Sequence, residues 1–295
     1  MNTRLRGIIL VFAVLVLPGC SARQLVIGQL ADGLAAQGHS EEDDLELARE
    51  ASAFYLKLSE SVLRERPGHI ALAESVTAGF TQYAYTFVAF AADRVEEQDI
   101  KEADRLRQRA ARLYRRAQRH AMTALETAHP GFLAALRNAP TSWPRLNKDE
   151  VGLAYWAAAS WGGWISLGKD DPELVADLPV AARLARLAWQ TDPDWGQGSL
   201  TSLMATIEAA RPGGDRAQAM AWFDQAIAQS GDHSPGPLVA KAEGYALPAG
   251  DRASFEALLK KALAIPETDA GPLTLQNQVM QRRAAWLLEK SDDLF

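Results

Sequence analysis

From Ser40 to the end of the chain, apolar residues recur at spacings of three and four, and no stretch alternates with a sustained period of two. Helices are therefore expected throughout, and essentially no sheet. Ser40-Glu41-Glu42-Asp43 has the form of a capping box, a hydroxyl with a carboxylate three residues on. The stripe Leu45, Ala48, Ala51, Phe54, Tyr55, Leu58 and Val62 follows it, and Pro67-Gly68 ends that helix. A second helix is predicted from about His69 to Val95, apolar around most of its circumference near Phe80–Phe90 and so deeply buried. A third, from about Ile100 to Ala128, packs through Leu106, Ala110, Leu113, Ala117 and Ala121. A short helix at 132–137 leads into a Pro- and Asn-containing loop, and 138–147 is the expected internal boundary. Asn147 to Glu150 forms another capping box and opens a Trp-rich helix over 148–167.

Beyond that point helices of similar length come in pairs. Segments 181–191, 216–229 and 254–265 each stop at a turn signal, and Ala188, Ala226 and Ala262 align at steps of 38 and 36 residues. The tetratricopeptide period is about 34. Gly213-Gly214-Asp215 and Gly250-Asp251 fall where each pair must turn tightly and cap its next helix. A final helix over about 273–288 serves as terminal cap. The expected fold is all-α: antiparallel helix pairs stacked as a TPR-like α-solenoid over residues 40–295. Each pair cannot bury its own apolar side alone, so neighbours share one continuous core.

The N-terminus follows a different pattern. Arg4 and Arg6 precede a ten-residue apolar run, Ile8 to Leu17, and Leu17-Pro18-Gly19-Cys20 has the form of a lipobox. The run is too short to span a bilayer. The expectation is a signal peptide over residues 1–19, cleavage before Cys20, lipidation of Cys20, and a tether over 20–39 ending in a short weak helix. Cys20 is the only cysteine, so the mature chain forms no internal disulfide. Anchoring to a membrane through lipid, not threading through it, is implied. Formal net charge is −6, and −8 once Arg4 and Arg6 leave with the signal, which disfavours nucleic acid as a partner. Ser21 after the lipidated residue favours the periplasmic face of the outer membrane, since aspartate there would retain the protein in the inner membrane.

The residues with chemical potential are few. No G-x-S-x-G, P-loop, G-x-G-x-x-G or H-E-x-x-H occurs, and no two of the five histidines stand three or four apart. No metal site and no cofactor is expected. The acidic run Asp170-Asp171-Pro172-Glu173, with Asp177, lacks the ligand spacing of a calcium loop and reads as helix capping. Arg105, Arg107, Arg109, Arg112, Arg115, Arg116 and Arg119 make the helix 100–128 strongly basic. They form either a solvated face paired with acids, or a patch facing a partner or anionic lipid. Tyr155, Trp156, Trp161 and Trp164 stand within ten residues, interleaved with Ala157–Ala159 and Gly162-Gly163. Aromatics beside small residues suit a tightly packed helix contact, and equally a cleft for an apolar or amphipathic ligand.

The run from Leu153 to Ile165, with Lys169-Asp170-Asp171-Pro172 and Ala176-Asp177-Leu178-Pro179, resembles the TRAP-transporter-associated TPR lipoproteins, the TatT family. The end of the chain, Arg283-Ala284-Ala285-Trp286-Leu287-Leu288 with Asp293-Leu294-Phe295, is similar to that family's end. The resemblance covers nearly all of the mature chain. It implies a periplasm-facing lipoprotein of degenerate TPR-like pairs, a homotrimer with a central pore and a hydrophobic cleft in each subunit, and a periplasmic TRAP solute-binding protein as partner. Two functions from different classes compete with that reading. One is a pure TPR scaffold lipoprotein for an outer-membrane assembly complex, with the tryptophans as simple core. The other is an envelope hydrolase assembled from distant residues, which the missing catalytic motifs disfavour.

Overall fold

The computed structural model of the chain describes residues 19–37, 44–138, 143–266 and 273–295. Among the described residues every regular element is helical and no strand occurs. Helix α1 spans Gly19–Gln37 and α2 spans Leu45–Glu65. α3 runs over Ile70–Tyr83, loosens into a π-turn at Ala84–Ala89, and finishes at Phe90–Val95. α4 is Ile100–Ala128 and α5 is Phe132–Arg137. A 3₁₀ turn at Lys148–Glu150 leads into α6, Val151–Leu167. Then come α7 (Pro172–Val175), α8 (Leu178–Thr191), α9 (Ser199–Ala210) and α10 (Arg216–Ser230). α11 (Gly236–Lys241) runs into a second π-turn at Ala242–Ala246. α12 (Arg252–Leu263), α13 (Thr274–Glu289) and α14 (Ser291–Leu294) complete the chain. No helix among the described residues is long and apolar enough to cross a membrane.

Local chemistry explains most boundaries. Asp44 caps α2 by accepting from the Glu46 and Leu47 amides, whereas the expected box at Ser40–Asp43 lies outside the described residues. Asp99 caps α4, and Asn147 with Glu150 forms the expected box before α6. Both glycine-aspartate turns behave as expected. Gly213 and Gly250 take φ of +71° and +67°, and Asp215 and Asp251 cap α10 and α12. Ala188, Ala226 and Ala262 are all fully buried.

The N-terminal segment, expected as a tether ending in a short weak helix, packs on the rest of the molecule. Its backbone is helical over Gly19–Gln37, and Ala31, Leu34 and Ala35 are buried in the main core. The Tyr55 hydroxyl donates to the Leu34 carbonyl and Arg66 donates to the Gln24 carbonyl, so α1 and α2 lie antiparallel. Residues 1–18 of the expected signal peptide lie outside the described residues.

Two cores result. The larger draws buried residues from α1 to α9, centred on α6 between α3, α4 and α8. The smaller unites α11, α12 and α13 around Phe255, Leu238 and Leu259. A third, minor cluster seats the α3 π-turn against α4 and the end of α6 through Ala84, Val88, Ala110 and Tyr114.

Candidate functional site

The Trp-rich helix α6 carries no charged residue between Val151 and Leu167. An element apolar all round must be buried on most sides, and α6 packs against α3, α4, α8 and α9. Its glycines differ in purpose. A Cβ on Gly163 would stand 2.9 Å from the Tyr114 ring, so that glycine admits α4. A Cβ on Gly152 would meet the Glu74 carboxylate at 2.1 Å. Nothing stands within 4 Å of a Cβ at Gly162, which therefore opens no helix contact.

The four aromatics expected to line a cleft are dispersed by helical geometry. Nine residues advance a helix by two and a half turns, which puts Tyr155 and Trp164 on opposite sides. Trp161 is sealed in the main core at 1% exposure, and its indole N–H has no protein partner. Trp164 is half-buried beneath the Arg115 guanidinium, 5.4 Å from its ring centre. Tyr155 meets Trp156 edge-on at 4.8 Å and Trp195 at 4.6 Å. Burial pushes the Tyr155 phenol up to about 12. Tyr155, Trp156 and Trp195 are thus the aromatic group that actually assembles, and Trp195 comes from a 3₁₀ turn that precedes α9. A second pair, Trp189 and Trp222, meets at 6.1 Å with Arg186 over Trp222.

Two polar arrangements were not legible from residue order. Both π-turns border a charged seam between the two cores, where Arg283 of α13 is held by Asp93 at 2.6 Å and Glu243 at 2.7 Å. Its guanidinium also lies over Phe90 and Trp286. Lys290 reaches Glu97 at 2.7 Å beside it. Burial pushes the phenols of Tyr85 and Tyr114 up, and Glu243 and Asp93 add to the effect at Tyr85. The partners are about 190 residues apart in the chain, so no local spacing announces them. π-Turns of this kind often mark functional positions.

The other arrangement is Glu60 of α2, 1% exposed, which accepts from Lys57, Arg64, Arg116 and His120. Burial alone would raise its carboxyl, but those hydrogen bonds outweigh burial and hold it far below the ordinary carboxylate range. Glu74 is the opposite case. It lines a hollow of about 330 Å³ with Asp32, Ala35, Ala36 and Ala71, and makes no hydrogen bond or ion pair with another described residue. Burial pushes its carboxyl up to about 7.

The acidic run before α7 serves as capping: Asp171 accepts from the Glu173 and Leu174 amides, and Asp177 pairs with Arg137. Among the described residues no group of three or more His, Cys, Asp or Glu is arranged to hold a metal ion.

Comparison with known proteins adds what the geometry lacks. The chain is 26% identical over 301 residues to a protein of Treponema pallidum (strain Nichols) described as uncharacterized, covering 94% of this chain and 93% of that one. The family model described as TRAP transporter T-component matches residues 41–295. That span takes in every helix from α2 to α14, the smaller core, the larger core apart from its α1 residues, and the charged seam, and the chain belongs to the TRAP transporter T-component family.

Proposed function

We propose that this protein is the periplasm-facing lipoprotein accessory of a TRAP-type solute uptake system, docking a periplasmic solute-binding protein and performing no catalysis. The observation that carries the reading is the family match over residues 41–295. The lipobox ending in Cys20 supports export and anchoring, and Ser21 favours the outer membrane. The helix pairs act as TPR-like repeats that offer a protein-binding surface; the buried Ala188, Ala226 and Ala262 and the two capped glycine turns support that arrangement. Assembly as a homotrimer belongs to the same reading. An apolar solute is held against the half-buried Tyr155, Trp156 and Trp195, with Trp164 on the other side of α6 and Trp161 inside the core.

The test is crosslinking in intact cells, capture of the protein and identification of its companions by mass spectrometry. Enrichment of a TRAP-type solute-binding protein is expected. Enrichment of outer-membrane assembly proteins without one would overturn the transport reading in favour of a scaffold. Cys20→Ala is expected to release the protein from membranes, as read by fractionation.

A further inference from the structure

α4 bears arginines in numbers the rest of the molecule does not neutralise. Arg105 pairs with Glu102, and Arg107 pairs with Asp93, Glu96 and Asp104. Farther along, Arg112 and Arg119 are exposed with no ion pair to a described residue, and Arg115 is exposed over Trp164. α6 has no charged residue. α2 presents Glu60, and that single buried carboxylate already accepts from Lys57, Arg64 and Arg116. Lys57, Arg64 and Arg116 thus share Glu60, while Arg112, Arg115 and Arg119 add three exposed cations on α4; the other acids of α2, Glu46, Glu50 and Glu65, lie toward its two ends. The field continues into apolar surface. Phe54 and Leu58 of α2, at 75% and 41% exposure, lie beside Lys57 on the outer side of that helix.

We propose that this α2–α4 face lies on an anionic phospholipid surface. The proposal rests on the lipid anchor at Cys20. Two observations favour lipid over an acidic protein. First, Arg66 at the end of α2 holds the Gln24 carbonyl of α1, four residues after Cys20, so the anchor emerges beside the basic end of α2. Secondly, exposed Phe54 and Leu58 beside cations suit the boundary between headgroups and acyl chains. Lipid attachment at a single point leaves a protein free to swing. A basic face contributes roughly fivefold in surface affinity per arginine and fixes which side faces the membrane.

The experiment uses the lipidated full chain carrying Ser61→Cys, an exposed position between Leu58 and Arg64, or Ala253→Cys on α12 as control. With the Cys20 thiol acylated, the new cysteine is the one site a maleimide dye can take. Each protein is reconstituted on neutral phosphatidylcholine vesicles or on vesicles with added phosphatidylglycerol, both containing a headgroup quencher. The dye at position 61, and not at 253, should be quenched on anionic vesicles, with the effect weakening as salt rises. Arg112→Gln/Arg115→Gln/Arg119→Gln should abolish the difference between the vesicle types while leaving the protein anchored. The three together are worth on the order of a hundredfold in surface affinity. Equal quenching at 61 and 253, or quenching unchanged in the triple variant, would overturn the proposal. So would a triple variant that keeps its lipid contact but no longer captures the solute-binding protein, which would assign the face to that partner. Failure of the anchor is separately visible: Cys20 then takes dye and the protein does not float with neutral vesicles. Flotation with the anionic vesicles alone still reads the face in that case.

Discussion

Glu60 and Glu74 are both glutamates on neighbouring helices, yet their surroundings drive them in opposite directions. Glu60 is ringed by cations, and Glu74 has only alanines, Gly152 and Asp32 around its hollow. The consequence for pH follows from the sign of each shift. Glu74 keeps its proton up to about pH 7 when folded, against 4.5 when exposed, so folding is weakened as pH rises through that window. Glu60 does the reverse, its contribution being complete above the ordinary carboxylate range and lost as pH falls below it. His120, held neutral mainly by burial, likewise contributes above its ordinary value and less as pH falls. Glu74→Gln should therefore stabilise the protein by about 2–3 kcal/mol at pH 8 and by almost nothing near pH 4. Denaturant titrations of wild type and variant at the two values check this; an equal effect at both would refute it. None of this was legible beforehand, because Glu74 and Gly152 meet only through the packing of α3 on α6.

Helices were legible and their irregularities were not. The limits of α4 and α5 follow directly from spacing, caps and breakers, because those signals lie within a few residues of each boundary. The π-turns at Ala84–Ala89 and Ala242–Ala246 leave no such mark, since one extra residue per turn hardly disturbs an apolar surround. The same distinction separates the glycines of α6. Adjacent in the sequence, they carry the same intrinsic cost to a helix. In the structure Gly163 accommodates Tyr114 and Gly162 accommodates nothing. Gly162→Ala should raise stability by about 0.5–1 kcal/mol, the ordinary gain of alanine in a helix. Gly163→Ala should lower it by about 1–3 kcal/mol, because the buried Tyr114 ring has to shift. Thermal melts of the two single variants decide the matter, and the same sign in both would contradict the packing described. The aromatic site was half legible: Trp156 and Tyr155 could be singled out by composition, but Trp195 is about forty residues away and joins them only through the turn before α9.

Over the whole molecule, the two cores are joined twice. One joint is the packing of α9 and α10 on α11, and the other is the seam where Arg283 and Lys290 meet Asp93 and Glu97. Arg283 is largely buried between two carboxylates and two aromatic rings, so removing it leaves Asp93 and Glu243 without their shared cation. Arg283→Ala is expected to cost about 3–5 kcal/mol. It should speed amide exchange in α13 and in Phe90–Val95 while leaving α4 and α6 protected. Uniform loss of protection would mean that the seam is not a separate joint. Lys290→Ala, at the exposed edge where solvent screens the pair, should cost far less than Arg283→Ala.

The seam also sets an order of events. Its two sides are separated by 190 residues, so Asp93 and Glu97 leave the ribosome long before Arg283 and Lys290 exist. At about 5–20 residues per second, synthesis keeps the first side waiting roughly ten to forty seconds. During that interval Phe90, later covered by Arg283 and Trp286, stands at the edge of a half-made protein. The segment that covers it is α13, and a chain cut short before α13 would leave that aromatic edge open to whatever chaperone or protease reaches it first.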